Sequence, residues 1–361
     1  MSASAYLPFS EPPYVVGLPS PYYKETHLKW QKSCREFVDR HLLEKALEWD
    51  TDETVPEHVW DTFAKAGMLL PTLPAPLPVE WLKKLGIHDI LGVVKVEEWD
   101  YIHTMIYADE KWITNGIWSD YATMAVRTSG PGPTGLSMVV VPLKAYPGVS
   151  MRRLKVGGQV SAGTTFIELD DVKVPVENLI GEEGMGMKYI MTNFNHERLI
   201  ISIGATRQAR VALSAAVEYV LKREAFGKPL VDQPVVRHRL AKAGALLESQ
   251  WAWVEQFVYQ MVHLPKVTAD VELGGLTAMV KAQSGIVLNE CAQTAQLLFG
   301  GNGYTKSGQG ELVERIYREV PGIRIPGGSE DVMLDLGVRQ LVKNFKSKTK
   351  AMERPRGESK L

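Results

Sequence analysis

Cysteine is scarce: the chain has two in 361 residues, Cys34 and Cys291. Their separation offers neither a disulfide framework nor a Cys-x-x-Cys metal spacing, so a reducing compartment is expected. Long apolar runs are absent too. No stretch reaches the ~18 residues that cross a bilayer. The opening "MSASAYLPFSEPPYVVGLPSPYY" has no secretory apolar region and no arginine-rich amphipathic helix, and reads as a proline-rich lead-in packed along a surface. Neither sign of charge is in excess, with 41 basic against 42 acidic residues. Nucleic acid and membrane are therefore not expected as partners. His103, His196, His238 and His263 have no His-x-x-x-His partner, and no Gly-x-Ser-x-Gly elbow occurs, so no metal and no serine nucleophile are expected. The glycine-rich "GEEGMG" and "FGGNG" do not follow a strand and open a helix; taken alone they are tight turns.

What is present is the composition of a soluble globular protein, 45% hydrophobic and 23% charged. Apolar spacing predicts a helix over 24–48, a second one in "VPEHVWDTFAKAG" between Pro56 and Gly67, and a weaker one over 94–110. From Lys111 to about Val174, β-branched and alternating runs such as "YATMAVRT" and "GLSMVVVPL" predict a small antiparallel sheet. Helical periodicity then returns over 187–222, 234–263, 274–299, 311–320 and 329–347, which reads as an antiparallel bundle. The expected fold is mostly α with a small β domain. Its parts are an incomplete N-terminal helical domain (1–110), an incomplete middle β domain (111–180), a C-terminal helical bundle (181–350) and a polar tail (351–361).

Four stretches carry candidate chemistry. "TNFNHERLII" sets His196, Glu197 and Arg198 among Phe194, Leu199, Ile200 and Ile201. A carboxylate partly buried there has its pKa raised toward working pH and suits proton abstraction; the bland reading of Glu197 is a solvent-facing helix residue. "KWITNG" places Trp112 and Thr114 on one face of a strand. "REAFGKPLVDQP" puts Arg223 and Phe226 at a helix end, and "IRIPGGSEDVMLDLGVRQ" puts two glycines before a helix that Ser329 can cap.

The order of these stretches resembles the acyl-CoA dehydrogenase family of flavoproteins, whose fold is an N-terminal helical domain, a middle β domain and a C-terminal four-helix bundle. The resemblance implies FAD as cofactor and an acyl-CoA as substrate, with a homodimer or homotetramer as the assembly. It implies that Trp112 covers one face of the flavin ring and that Thr114 bonds near its reactive nitrogen. Arg223 and Phe226, in the family's "R-x-x-FG" position, would meet the adenosine and pyrophosphate across a subunit interface. Gly300 and Gly301 of "LLFGGNGY" would lie on the pyrophosphate, with Leu297 where a glutamine is usual. Ser329 and Asp331 would also reach the cofactor.

In most of the family the catalytic glutamate stands in a "YEGTS"-like segment, and the matching position here is Gly327. In a minority the base comes from the first long helix of the bundle, directly before an arginine, where Glu197-Arg198 falls. Glu197 is thus the expected base, and the backbone N–H of Gly327 is expected to bond the thioester oxygen. Arg198 and Arg339 are expected to form an ion-pair network beside the site. The implied activity is α,β-dehydrogenation of an acyl-CoA to a trans-2-enoyl-CoA, a step of fatty-acid β-oxidation.

The resemblance breaks at Glu110-Lys111, where on the order of ninety residues expected of such a fold are missing, including a loop that bonds the flavin. Three outcomes therefore stay open: a dehydrogenase, a shortened non-catalytic relative with little or no flavin binding, and an oxidase that passes electrons to oxygen. The final Ser359-Lys360-Leu361 matches the tripeptide read by the peroxisomal import receptor, so the peroxisomal matrix is expected, with the cytoplasm as the alternative.

Overall fold

The computed structural model describes residues 6–110 and 116–353. Trp112, Thr114 and Ser359-Lys360-Leu361 lie outside the described residues. The chain is mostly helical with a small antiparallel β part, and it divides into two compact units. One is Tyr23–His196; the other combines Met1–Tyr22 with Glu197–Leu361.

In the first unit, α1 (Glu25–Val38) buries His27, Trp30, Cys34 and Phe37, one face at a spacing of three and four residues. No residue of the next segments, a π turn at Asp39–Leu43 and α2 (Ala46–Thr51), is buried. The continuous helix expected over 24–48 therefore ends at Val38, beyond which the apolar Leu43 and Leu47 are exposed. After α3 (Glu57–Lys65), Gly67 takes a positive φ of 69°, and α4 (Val79–Lys84) follows the proline-rich run. A short hairpin, β1 (Asp89–Ile90) with β2 (Val94–Lys95), leads to α5 (Tyr101–Glu110). Every residue of α5 from Tyr101 to Asp109 is buried.

Buried polar groups tie α5 to α1. Asp100 stands before the first turn of α5, and its Oδ1 accepts the N–H groups of Ile102 at 3.0 Å and His103 at 3.2 Å. The same carboxylate meets His27 Nε2 at 3.1 Å and His103 Nδ1 at 2.9 Å, and Trp30 Nε1 donates to the His103 carbonyl at 3.0 Å. The three side chains hold their donor atoms within 4.8 Å of one another, a spacing compatible with a metal. However, the Lys24 N–H donates to His27 Nδ1 at 2.9 Å. That assigns the ring proton to Nε2, aimed at Asp100, and makes the cluster a hydrogen-bonded network.

The β part is two separate antiparallel sheets. One pairs β3 (Tyr121–Arg127) with β4 (Leu136–Pro142), and β4 with β7 (Leu179–Ile180); the other pairs β5 (Val149–Arg153) with β6 (Thr165–Leu169). Strand β3 alternates between exposed and half-buried residues, none of them fully buried, and among the described residues it pairs only with β4. It is an open edge.

The helix α6 (Gly186–Lys222) runs 37 residues, and the division between units falls inside it. Beyond it come a hairpin of β8 (Glu224–Ala225) and β9 (Lys228–Pro229), then α7 (Pro234–His263), α8 (Lys266–Glu272), α9 (Gly274–Phe299), α10 (Glu311–Arg324) and α11 (Glu330–Glu353). Ala205, Ala209, Ala212 and Ala216 form a small-residue stripe on α6. They pack with Leu240 and Leu247 of α7, Val287, Leu288 and Cys291 of α9, and Ile316 of α10. Burying each Leu, Val or Ile contributes about 1.5–3 kcal/mol. Helices α9 and α11 approach closely at Gly275 and Gly337: a Cβ at Gly337 would stand 2.7 Å from Met279 Cγ and 3.1 Å from the Gly275 carbonyl oxygen.

The proline-rich lead-in docks on this unit. The Phe9 ring sits over Gly244, where any Cβ would collide with it. The fully buried Arg210 donates to the carbonyls of Phe9 and Glu11, at 3.3 and 3.2 Å, and pairs with Glu248 at 2.7 Å. Arg207 pairs with Glu11 at 3.1 Å, and Tyr14 stacks on Trp251.

The His103 network has a pH signature. Burial lowers the His103 pKa from its ordinary value, while in the unfolded chain that ring takes up a proton near pH 6.5. The unfolded state then binds more protons, so stability falls as pH drops below about 6.5, by at most about 1.4 kcal/mol per unit for this one group. Asp100, held well below the usual carboxylate range by its histidine hydrogen bonds despite its burial, adds a further loss below about pH 4. Thermal melts should show the midpoint dropping a few degrees between about pH 7 and 5.5. That drop should shrink in His103→Asn; an unchanged slope would assign it to other groups.

Candidate functional site

The site is built around the turn between α10 and α11. Gly327 has φ +70° and Gly328 φ +114°, a backbone that two side-chain-bearing residues do not adopt without strain. The turn is held from behind by cations. Arg198 Nε of α6 donates to the Gly327 carbonyl at 2.8 Å. Lys281 of α9, itself 2% exposed, donates from Nζ to the Gly328 carbonyl at 2.7 Å and to the Arg324 carbonyl. The Gly328 N–H bonds the Ile325 carbonyl, whereas the Gly327 N–H has no hydrogen-bond partner among the described residues. A Cβ at Gly327 would stand 3.0 Å from Ile201 Cδ1 and 3.4 Å from Arg198 Cγ, so this glycine packs directly on α6. Burial and the nearby Arg198 lower the Lys281 pKa to about 8. Burial also lowers that of Arg198, against the attraction of Glu197.

The structure thus brings Arg198 and Gly327 together and sets Glu197 one residue away. It does not bury Glu197. That side chain is exposed, although its neighbours Phe194 and Ile200 are half-buried and Leu199 is fully buried. Two residues along a helix turn by about 200°, so the rotation that sends Leu199 into the core turns Glu197 outward. The dry pocket expected from the apolar neighbours is not supplied by them. His196 is a packed residue, with Nε2 3.1 Å from the Thr72 carbonyl oxygen.

Arg339 is not where the sequence places it. Its side chain is 64% exposed and pairs with Asp335 one turn earlier on α11, at 2.7 Å. The i,i+4 spacing on an outward face offers it a nearer carboxylate, so the expected network between Arg198 and Arg339 does not form.

Two clefts collect the remaining candidates. Arg223 lines one of about 640 Å³ with Tyr219, Lys222, Phe299 and Gln309. Gly300 follows Phe299 with φ +59°, and neither it nor Gly301 has an atom within 4 Å of a would-be Cβ. Phe299, the residue before the glycine turn, lines the same cleft as Arg223. Phe226, at the tip of the β8–β9 hairpin with φ +55°, is 94% exposed. Leu297 is also exposed. Ser329 and Asp331 line a second cleft of about 540 Å³ with Asn289, Tyr317 and Glu330, the last paired with Arg324. Lys281 was not singled out from the sequence. The available signal is a lone lysine in "TAMVKAQSGIVL", where Ala278, Val280, Ala282 and Val287 are all buried.

Comparison with known proteins bears on the family and the fold. The family described as acyl-CoA dehydrogenase, N-terminal domain, matches residues 24–77, and that described as acyl-CoA dehydrogenase, C-terminal domain, matches 184–342. The acyl-CoA dehydrogenase apdG of Emericella nidulans is 57% identical, over 99% of this chain and 100% of its own length. That alignment runs to 438 positions against 361 residues, so at least 77 of them face gaps in this chain. Among solved structures, the acyl-CoA dehydrogenase of Geobacillus kaustophilus superposes with a TM-score of 0.76 at 22% identity, over 90% of this chain and all of its own. The Bacillus anthracis acyl-CoA dehydrogenase complexed with FAD gives 0.70 at 18% identity, over 92% of this chain and 70% of its own. Likeness at these identities shows the fold.

Gly327→Ala tests the tightness of the turn. The positive φ and the approach of Ile201 should together cost about 1–2 kcal/mol of stability, read as a lower urea midpoint with an unchanged slope. A neutral result would mean that the turn is free to adopt another backbone conformation.

Proposed function

This chain belongs to the acyl-CoA dehydrogenase family, and on that footing we propose that it is an oxidoreductase that converts an acyl-CoA thioester to the trans-2-enoyl-CoA with FAD as cofactor. The observation that carries the proposal is the Arg198–Gly327 contact, which fastens a side-chain-free turn to α6 at the residue that follows Glu197. The residues present fit a flavin dinucleotide. Arg223 lines a cleft with Phe299, the residue before the open backbone of Gly300 and Gly301, which suits a pyrophosphate, while Lys222 in the same cleft is paired with Glu218. Ser329 and Asp331 add polar groups at the second cleft.

When bound, FAD supplies the acceptor for the hydride that leaves the β-carbon. Glu197 takes the proton from the acyl α-carbon as general base. The Gly327 N–H donates to the thioester oxygen, where negative charge grows as the α-proton leaves. Because Glu197 is exposed, the bound acyl chain must itself provide the apolar cover that excludes water from the base.

A second reading, a flavin-free relative, is favoured by the 77 or more gapped positions and by the open edge of β3. One purification separates the two. After incubation with excess FAD and gel filtration, the visible spectrum should show close to one flavin per chain, and an acyl-CoA should bleach it. Glu197→Gln should slow that bleaching by at least about a hundredfold, the usual contribution of a positioned base. No retained flavin would overturn the dehydrogenase reading in favour of the second. Bleaching at the wild-type rate in Glu197→Gln would remove that residue as the base.

The elution volume in the same run reads the assembly, for which we propose a homo-oligomer. Leu334, Val338, Leu341 and Phe345 leave an apolar stripe exposed along α11. A monomer would count against that use of the stripe. We also propose a peroxisomal address, carried by Ser359-Lys360-Leu361. A fluorescent protein ending in residues 351–361 should collect in peroxisomes, and replacing Leu361 with Ala should disperse it; diffuse fluorescence from both would refute the address.

A further inference from the structure

Lys281 is costly where it stands, since a buried ammonium loses its hydration. The structure shows what compensates it. Arg324 closes α10, and its carbonyl is one of the groups that a helix leaves unpaired at its C-terminal end, where a cation is also favoured by the helix dipole. Lys281 Nζ donates to that carbonyl and, four residues on, to the carbonyl of Gly328 at 2.7 Å. Between them, Arg198 takes the carbonyl of Gly327 at 2.8 Å. Two adjacent glycines are the most freely rotating pair a chain can hold. Here their carbonyls are fixed, one on each cation, from two different helices.

We propose that Lys281 is a positioning residue for the reaction: with Arg198 it locks the Gly327–Gly328 turn so that the Gly327 N–H is held toward the thioester oxygen. The proposal rests on the dehydrogenase reading for its purpose, and on the geometry alone for the lock. Lys281 touches neither substrate nor cofactor in this account; it acts through the turn. The charged groups around it are Arg198 from α6, Arg324 from α10 and Glu330 from α11, so two cations oppose its charge and one carboxylate supports it. With its pKa lowered to about 8, the ammonium is present below that pH and lost above it. A neutral amine bonds carbonyls more weakly than an ammonium does, so the turn loosens as pH rises through about 8. The contribution of Lys281 to global stability runs the other way, because between about 8 and 10.5 the unfolded chain holds the proton more often than the folded one. Local release is thereby distinguishable from unfolding.

The test is hydrogen–deuterium exchange of the full chain without added flavin, read on a peptide spanning residues 323–331, from about pH 6.5 to 9.5 and corrected for intrinsic exchange. Wild-type protection of the turn should hold below pH 8 and then fall by roughly tenfold over the next unit, following the protonated fraction. Lys281→Met should leave the turn weakly protected at every pH. Lys281→Arg, whose guanidinium stays charged throughout, should keep protection high with no step near pH 8. A wild-type step that survives in Lys281→Arg overturns the proposal, as does wild-type protection in Lys281→Met; if the methionine variant does not fold, the arginine variant alone decides.

With flavin bound, bleaching by an acyl-CoA should fall over the same pH range in wild type and not in Lys281→Arg, with kcat changed more than KM. Bleaching that ignores Lys281→Met overturns the role in the reaction. The expected exchange pattern without bleaching at any pH overturns the dehydrogenase reading and leaves the lock standing.

Discussion

A single hydrogen bond, from Arg198 Nε to the Gly327 carbonyl oxygen, is what the rest of the site depends on. It fastens the turn before α11 to α6 at the first of two glycines that have no side chain to hold them. Gly327 fits closely against Ile201 and Arg198 at the same contact. Take the arginine away and two consecutive glycines are left with Lys281 alone on one of their carbonyls. Burying an arginine costs stability. Its use here is geometric: a planar guanidinium fixes the direction of what it binds.

Much of the bundle was legible because its signals are local. Helix α7 starts at Pro234 and α9 at Gly274, and both run unbroken at helical period to the ends read from the sequence. The glycine pair at 327–328 was legible for the same reason, as residues that only a left-handed turn requires. Failures came where a residue's surroundings lie far off in sequence. The helix through 24–48 breaks because nothing beyond Phe37 is covered. Glu197 was read as buried, but its same-face neighbours Phe194, Ile200 and Ile201 are only half-buried and the fully buried Leu199 points the other way. Arg339 found Asp335 four residues away rather than the distant site. His27 and Asp100 stand 73 residues apart and meet only once α1 and α5 pack, so no spacing rule flags them. Lys281 belongs to the same class, since its partners are backbone carbonyls, which carry no sequence signature.

The described segments on either side of 111–115 differ in how they are covered. Helix α5 is covered on every side, and its polar groups are tied to α1 and to the turn ahead of it, so this end keeps its packing. Strand β3 keeps its full register with β4, from Tyr121 opposite Pro142 to Arg127 opposite Leu136, but its other edge is open among the described residues and its inner face only half-covered. The difference follows from the elements themselves, since a helix satisfies its own backbone and a strand needs a neighbour.

The proline-rich lead-in has a consequence for how the chain assembles. Arg210 reaches Phe9 across 201 residues, and Tyr14 waits for Trp251 on α7. During synthesis this segment leaves the ribosome well before α7, and the surface it fits is completed only after α7 has emerged. A segment that must stay extended for so long benefits from prolines, which neither nucleate a helix nor extend a sheet. Its docking is among the most non-local contacts in the molecule, and such contacts are made late and slowly. Phe9 to Tyr14 are thus translated long before the partners they fold against.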